Sequence, residues 1–558
     1  MRIALAQLNY KIGDFQGNFH KIEAAIKGSA ADLVVFSELC LSGYHPRDLI
    51  LQEGFLETQN IYLKKLQECT RQTQTSIVIG LITENKDKGQ PYYNSLCLIS
   101  KGQIEFTYHK RLLPVYNIFD EARHFAPGHT PGIYQFQDLR CGFLICEDGW
   151  AGFDNYLYAC DPVDALAEQQ LDLIICINGS PSNIGKHQER TRHFSHIAKR
   201  CAAPLLFSNQ VGGNDDIVFD GSSFIVDKAG QIQGSLKQFE EDTGVVEVNQ
   251  GTIKPIQGLA PYSEPNDVAL FYKQTLLGLK DYVAKCGFST VVIGISGGID
   301  SALTLALAVK ALGHDRVFGL AMPSRYSSTG SVTDAIALCE NFKVKLYTIS
   351  IEEEFSLALK RFSDTFGEAA SSITAQNIQA RLRGRILMEY SNQTGALVLS
   401  TGNKSELSVG YTTIYGDMTG GFNLIGDLYK TDVYKLANYF NQLHPDSLIP
   451  NTIIQKMPSA ELAPNQKDAD SLPEYEILDP ILKLYIEGDL LPQAERQTYQ
   501  QQTAALPDEL ISSIHQMVDR AEFKRRQSPP IVRVQRRAFG HGRQLPIAAT
   551  YPLTILQK

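Results

Sequence analysis

Two α/β domains in tandem are what this sequence predicts, and three observations carry that prediction. Its 558 residues exceed the roughly 250–300 over which one hydrophobic core keeps growing. Short β-branched runs alternate with helix-length periodic stretches through both halves. Between the halves, residues 251–266 (GTIKPIQGLAPYSEPN) lose periodicity and carry three prolines, which marks a connection. The expected domains are 1–250 and 267–558, with 251–266 as the linker.

Composition narrows the class. Hydrophobic residues at 43% and charged residues at 20% are those of an ordinary soluble globular chain. A net charge of -9 argues against a nucleic-acid coat, although the basic run of Lys524, Arg525, Arg526, Arg533, Arg536 and Arg537 leaves room for a local phosphate contact. The ten cysteines fall mostly in apolar strand-like runs, among them Cys97, Cys141, Cys146 and Cys176, with no paired CxxC; reduced, buried thiols follow. The first residues enter a strand pattern at once, and no apolar run reaches the ~18 residues a membrane helix needs. A cytoplasmic protein binding neither membrane nor nucleic acid is expected.

In the first half, strands are expected at Ile3–Gln7, Leu33–Ser37, Ser76–Ile82, Ser95–Ser100, Leu139–Cys146, Leu173–Asn178 and Pro204–Asn209, with helices over Asn18–Ser29 and His187–Arg200. Alternation alone suggests an open doubly wound sheet. In the second half, a helix is expected over Asp267–Cys286, then a strand Thr290–Ile295, a glycine-rich turn and a helix Ser301–Leu312. Further strands fall at Val317–Ala321, Lys343–Ile349 and Ala396–Ser400, a doubly wound order that places ligands beyond the carboxyl ends of parallel strands. Pro450–Asp479, rich in Pro, Ser, Glu and Asp, reads as a functional flap or insertion.

Three residues sit at predicted strand ends or the loops after them: Glu38 in VVFSELCLSGY, Lys110 in YHKRLLP and Cys146 in CGFLICEDGW. Amide hydrolysis through a covalent intermediate needs a nucleophile, which a cysteine becomes when a base takes its proton or a cation favours the thiolate. Glu38 suits the base; Lys110, with a backbone N–H after Cys146, suits the oxyanion. The SEL, HKRLLP and CEDGW segments resemble those of the carbon-nitrogen hydrolase, or nitrilase, superfamily. That resemblance implies a catalytic Glu38–Lys110–Cys146 triad on a four-layer αββα sandwich in place of the open sheet. It further implies glutamine binding by Tyr116 in LLPVYNIFDEARHF, Glu147, and Ser180 and Lys186 in NGSPSNIGK, with Lys186 a point-charge contact to the substrate carboxylate.

The second half offers VVIGISGGIDSA at residues 291–302. Adjacent glycines bring backbone N–H groups close to a ligand, and a following helix terminus adds donors and positive potential, which suits phosphate. The pattern is neither GxGxxG nor GxxxxGK[ST], which weakens hydride and γ-phosphoryl transfer. SGGIDS resembles the pyrophosphate loop of the N-type ATP pyrophosphatases. NIQARLRGRILM, LVLSTGNKSELSVGYTTIYGDMTGGFNLIGDLYKTDVY, PSAEL and EFKRRQSPP resemble the NAD synthetase family, and with the nitrilase-like half in front nearly the whole chain resembles its glutamine-dependent branch.

What this resemblance implies is adenylation of deamido-NAD by ATP, then amidation to NAD by ammonia drawn from glutamine and passed between the sites, releasing AMP and pyrophosphate. Gly294, Ile295, Ser296, Gly297, Gly298, Ile299, Asp300 and Ser301, with Thr401, would hold ATP. Asn377, Glu406 and Lys524 would meet deamido-NAD, and Arg381 and Lys430 are further phosphate contacts. Mg²⁺ is expected on Asp300 and Glu406, since ATP phosphates need charge compensation from a cation that accepts a few carboxylates; no prosthetic group is expected. A homo-oligomer is implied. The alternative is a glutamine amidotransferase of another N-type ATP pyrophosphatase class with a different acceptor.

Overall fold

A computed structural model describes residues 1–152, 158–264, 266–445, 448–464 and 466–550. The chain forms two compact units, Met1–Pro265 and Asn266–Lys558.

The first unit holds a seven-stranded and a six-stranded sheet. In the first, Arg2–Gln7, Leu33–Val35 and Ser76–Glu84 run parallel. In the second, Leu139–Ile145, Leu173–Asn178 and Leu205–Asn209 do the same. Strand periodicity sorts their side chains onto two faces. Ile3, Leu5, Leu33 and Val35 meet Phe143, Ile145, Leu173, Ile175 and Ile177 in one core between the sheets. Ala4, Ala6, Val34 and Phe36 point the other way, under Phe19, Ile22 and Leu66 of the helices Phe15–Gly28 and Phe55–Thr73. Leu144, Ile174 and Cys176 pack beneath Val163, Phe194 and Ile197 of the helices Pro162–Ala167 and Lys186–Arg200. The layers are therefore helix, sheet, sheet, helix. Strands buried on both faces read as continuous apolar runs, which is why alternation alone suggested a single open sheet.

One boundary moves. Thr252–Gln257, inside the stretch expected to be linker, is an edge strand antiparallel to Asp242–Asn249. Only Ile253 of its six residues is buried, so it leaves no hydrophobic alternation to read.

The second unit is built on a five-stranded parallel sheet ordered Lys345–Thr348, Val317–Ala321, Val291–Gly294, Leu397–Ser400, Phe422–Asn423. The chain lays down its central strand first, builds outward to one side and then crosses to the other. The reversal leaves a crevice beyond the carboxyl ends of Val291–Gly294 and Leu397–Ser400, where α/β sheets bind ligands. Helix Ile299–Leu312 is buried on nearly every side over its first ten residues, while Ser372–Thr394 contributes Ile386 and Leu387 to the other face. A satellite core gathers Leu478, Ile481 and Leu482 with Ile514, Val518, Ile531 and Phe539. Among the described residues no helix is long and apolar enough to cross a membrane.

Candidate active sites

In the first unit, parallel strands end together and bring Glu38, Lys110 and Cys146 to one place. Cys146 follows the strand Leu139–Ile145 with φ 44, a left-handed conformation that costs a non-glycine residue energy and recurs where a side chain must be presented at a sharp turn. Glu38 is wholly buried. Its Oε1 accepts from Lys110 Nζ at 2.7 Å and from Asn94 Nδ2 at 2.7 Å, and its Oε2 from the Gly179 N–H at 2.8 Å. The Lys110 ammonium donates a second bond to Glu121 Oε1 at 2.8 Å, and Tyr44 donates to the same oxygen at 2.8 Å.

The charges act on one another. Burial pushes the Glu38 carboxyl above its ordinary range, and the Lys110 ammonium pulls against that. Burial also raises the Cys146 thiol well above the usual range, reinforced by Glu38 and opposed by Lys110. Burial alone would lower Lys110, but Glu121 and Glu38 outweigh it and keep the ammonium protonated. Before substrate enters, the thiol keeps its proton and a carboxylate with raised proton affinity stands by to take it.

Sequence reasoning missed two residues here. Glu121 opens the short 3-10 helix Glu121–Arg123 and carries no motif signal of its own. Asp148, buried two residues after Cys146, accepts from the N–H groups of Arg111, Leu112 and Ile145 and from the Tyr108 hydroxyl at 2.9–3.1 Å. It thereby fastens the Cys146 turn to the segment carrying Lys110. The expected substrate contacts lie close by. Tyr116 donates to both oxygens of Glu147 at 3.1 Å, and Tyr158 donates to Oε1 at 2.6 Å. The Lys186 ammonium lies 3.7 Å from the centre of the Trp150 ring, and burial lowers its proton affinity. Ser180 is held from behind: Asn209 accepts from its N–H at 2.9 Å, and the buried Arg190 donates to its Oγ at 3.0 Å while pairing with Asp220.

In the second unit, the loop after Val291–Gly294 opens helix Ile299–Leu312 and lines a large cavity with Gly294, Ser296, Gly298, Asp300 and Ser301. Gly297 has φ +78, and a Cβ there would stand 2.2 Å from the Ser331 carbonyl oxygen; only glycine fits. The Gly298 N–H donates to Ser296 Oγ at 3.2 Å, and Ser296 and Ser301 hydroxyls are paired at 3.2 Å. Thr401 and Glu406 line the same cavity from the neighbouring strand's end. Lys430 joins the site, its Nζ 2.5 Å from Asp300 Oδ2 and 3.2 Å from Glu406 Oε1. Burial pushes the Glu406 carboxyl up to about 8, with Lys430 working against the rise and Asp300 adding to it. One ammonium thus serves two carboxylates. The stretch read as a flap contributes Lys456, Pro458 and Glu461 to the wall.

Three further residues singled out in the sequence lie outside the lining of this cavity. Lys524 spends its ammonium on the carbonyls of Gly410 and Thr412 at 2.7 and 2.8 Å, and Asn377 Oδ1 accepts from the Thr413 hydroxyl at 2.7 Å. Neither lines this cavity; both hold the loop that presents Tyr411 and Thr412 to it. Arg381 donates to the Ile414 carbonyl and faces a different groove, with Arg361 and Arg385. The cavity's own arginine is Arg383, two residues further along the helix.

Comparison with known proteins covers both units. The carbon-nitrogen hydrolase model matches residues 2–257, and the NAD synthase model residues 271–528. A glutamine-dependent NAD(+) synthetase of Synechocystis sp. is 40% identical over 98% of this chain and 99% of its own length. The chain belongs to the glutamine-dependent NAD(+) synthetase family. The family's member from Thermotoga maritima is 36% identical over 98% of both chains. A solved glutamine-dependent NAD+ synthetase from Acinetobacter baumannii, in complex with adenosine diphosphate, superposes with TM-score 0.76 at 37% identity over 98% of each chain.

Two substitutions probe these arrangements. Asp148→Ala orphans two buried N–H groups and a part-buried one at about 1–3 kcal/mol for each buried group, so denaturant unfolding is expected to show a loss of several kcal/mol in this unit, together with loss of glutamine hydrolysis. Gly297→Ala forces the loop off Ser331 at a strain of ~1–3 kcal/mol; calorimetry is expected to show ATP binding weakened about tenfold or more. Wild-type affinity in that variant would refute the role given to the loop.

Proposed function

We propose that this chain is a glutamine-dependent NAD synthetase whose first unit releases ammonia and whose second unit consumes it. The observation that carries the reading is the convergence of Glu38 and Lys110 on Cys146 in a chain that also holds the SGGIDS loop over a nucleotide-sized crevice.

In the first unit, Glu38 takes the Cys146 proton as Sγ attacks the carboxamide carbon of glutamine. The oxyanion is met by the Lys110 ammonium. Glu38 returns the proton to the departing ammonia, leaving a thioester, and then activates the water that hydrolyses it to glutamate. Glu147, with Tyr116 and Tyr158 on its carboxylate, receives the substrate α-ammonium; Lys186 answers the α-carboxylate, and Ser180 completes the contact. Release of ammonia here keeps it unprotonated until it meets its acceptor.

In the second unit, the nicotinate carboxylate of deamido-NAD attacks the α-phosphorus of ATP, and pyrophosphate leaves. Backbone N–H groups from Ser296 to Ser301 and the helix terminus behind them hold the phosphates, with Thr401 and Lys430 beside them. Ammonia then attacks the acyl carbon and displaces AMP. Asp300 and Glu406, separated by a single ammonium, fit Mg²⁺, which takes one or two carboxylates with phosphate oxygens. When bound, the ion compensates the charge that Lys430 alone leaves unbalanced. Asn377, Glu406 and Lys524 meet deamido-NAD, with Asn377 and Lys524 held by bonds to the 410–413 loop. The chain works in the cytoplasm as a homo-oligomer and needs no prosthetic group.

Purified protein given deamido-NAD, ATP, Mg²⁺ and either glutamine or ammonium is expected to form NAD, AMP and pyrophosphate in equal amounts. Glutamate accompanies only the glutamine reaction. Cys146→Ala abolishes the glutamine reaction and keeps the ammonium one; Asp300→Ala impairs both. Failure of ammonium to support NAD formation in folded Cys146→Ala protein contradicts the division of labour. Glutamine hydrolysis has its own pH signature. Glu38 acts as carboxylate, so the rate is full above its raised pKa and falls as acid protonates it, with the limb lying above the ordinary value of 4.5. A pH–rate profile whose acid limb sits at or below that value would remove Glu38 from the base role.

A further inference from the structure

Lys430 and Glu406 stand opposite each other in the second cavity; the Glu406 carboxylate is held by a capping box at the start of its own helix, its Oε2 accepting from the Asn403 N–H at 3.3 Å, whereas the helix that opens at Lys430 has no such cap. Glu406 belongs to the six-residue helix Lys404–Val409, and Lys430 is the first residue of helix Lys430–Leu443. The N-cap of the latter is Tyr429, which makes no side-chain cap bond. Two of the N–H groups a helix start leaves unsatisfied must therefore be met from elsewhere.

A third helix meets one and holds the partner of the other. Asp479, on Tyr475–Ile486, is buried and does not line the cavity. Its Oδ2 accepts from the Thr431 N–H at 2.9 Å and from the Thr431 hydroxyl at 2.7 Å. Its Oδ1 accepts from the Ser405 hydroxyl at 2.5 Å, and that same Ser405 oxygen accepts from the Lys430 N–H at 2.9 Å. One carboxylate thus binds the residue before Glu406 and the residue after Lys430. It supplies the N-terminal cap that the Lys430 helix lacks, and its charge is well placed at the positive end of that helix.

We propose that Asp479 is a positioning residue of the synthetase reaction, a remote cap that sets the Lys430 ammonium against Asp300 and Glu406 without touching substrate. The inference rests on the reading of this cavity as the ATP site. Loss of the clamp lets the first turn of the Lys430 helix drift while the loop from Ser296 to Ser301, which makes no bond to Asp479, keeps its form. ATP then still binds, but the charges around the reacting phosphate are misplaced.

The test uses the full chain, with ammonium as nitrogen donor so that the first unit has no part in the rate. In Asp479→Asn one acceptor oxygen becomes an amide donor facing hydroxyl and N–H donors, and kcat for NAD formation is expected to fall about tenfold, the worth of a hydrogen bond to a charged group. KM for ATP is expected to change less than about twofold, and calorimetric ATP stoichiometry to stay that of the wild type. Thr431→Val removes one bond of the three from Asp479 and is expected to give a smaller fall in kcat with the same KM; it serves if the first variant does not fold. An unchanged kcat in both variants overturns the proposal. So does a fall in kcat matched by an equal fall in ATP stoichiometry, which would make Asp479 a stabilising residue alone. A wild-type chain that forms no NAD in this assay would sink the assignment of the cavity instead.

Discussion

Taking the Lys110 ammonium out of water costs several kcal/mol unless carboxylates compensate it, and the first site is organised around that requirement. Glu38 and Glu121 approach it at 2.7 and 2.8 Å. Because the pair share one cation, neither carboxylate is neutralised fully, and Glu38 keeps enough proton affinity to act as a base toward a thiol that burial holds protonated. The four-layer sandwich supplies the dry surroundings: the helix layers and the core between the sheets leave all three residues buried. Asp148 then makes the arrangement rigid by tying the nucleophile's turn to the cation's strand.

The second site solves a related problem with the opposite balance. Lys430 again stands between two carboxylates, Asp300 and Glu406, but here the site lies in an open crevice at a sheet's reversal point and must accept a polyanion. Lys430 alone does not balance these two carboxylates, and an incoming polyanion adds to the deficit. The first unit uses its buried lysine to hold two carboxylates in the dry interior, and the second to pair two carboxylates beside the phosphate-type loop.

Much of this was legible in the sequence where burial is uniform. The strands Leu173–Asn178 and Val317–Ala321 and the helix Asp267–Cys286 occur with the expected bounds, because fully buried strands and well-capped helices write themselves as apolar runs and end signals. The meeting of Glu38, Lys110 and Cys146 and the glycine-rich turn that opens a helix were legible because such arrangements restrict residue type. Glu121 was not: its role depends on a neighbour that comes near only when the sheet forms. Arg383 shows a further limit: the motif NIQARLRGRILM locates one wall of the cavity, but which side of its helix faces inward depends on packing.

The strand Thr252–Gln257 buries almost nothing, yet it covers the backbone of Asp242–Asn249 along five residue pairs. An amidase fragment cut at residue 250 would bare that row of N–H and C=O groups at the edge of an apolar-cored sheet. Such an edge invites pairing with another chain. The segment that looks like slack between two enzymes is thus a hem that keeps the first of them from sticking to its own copies, and any attempt to express that half alone has to carry it.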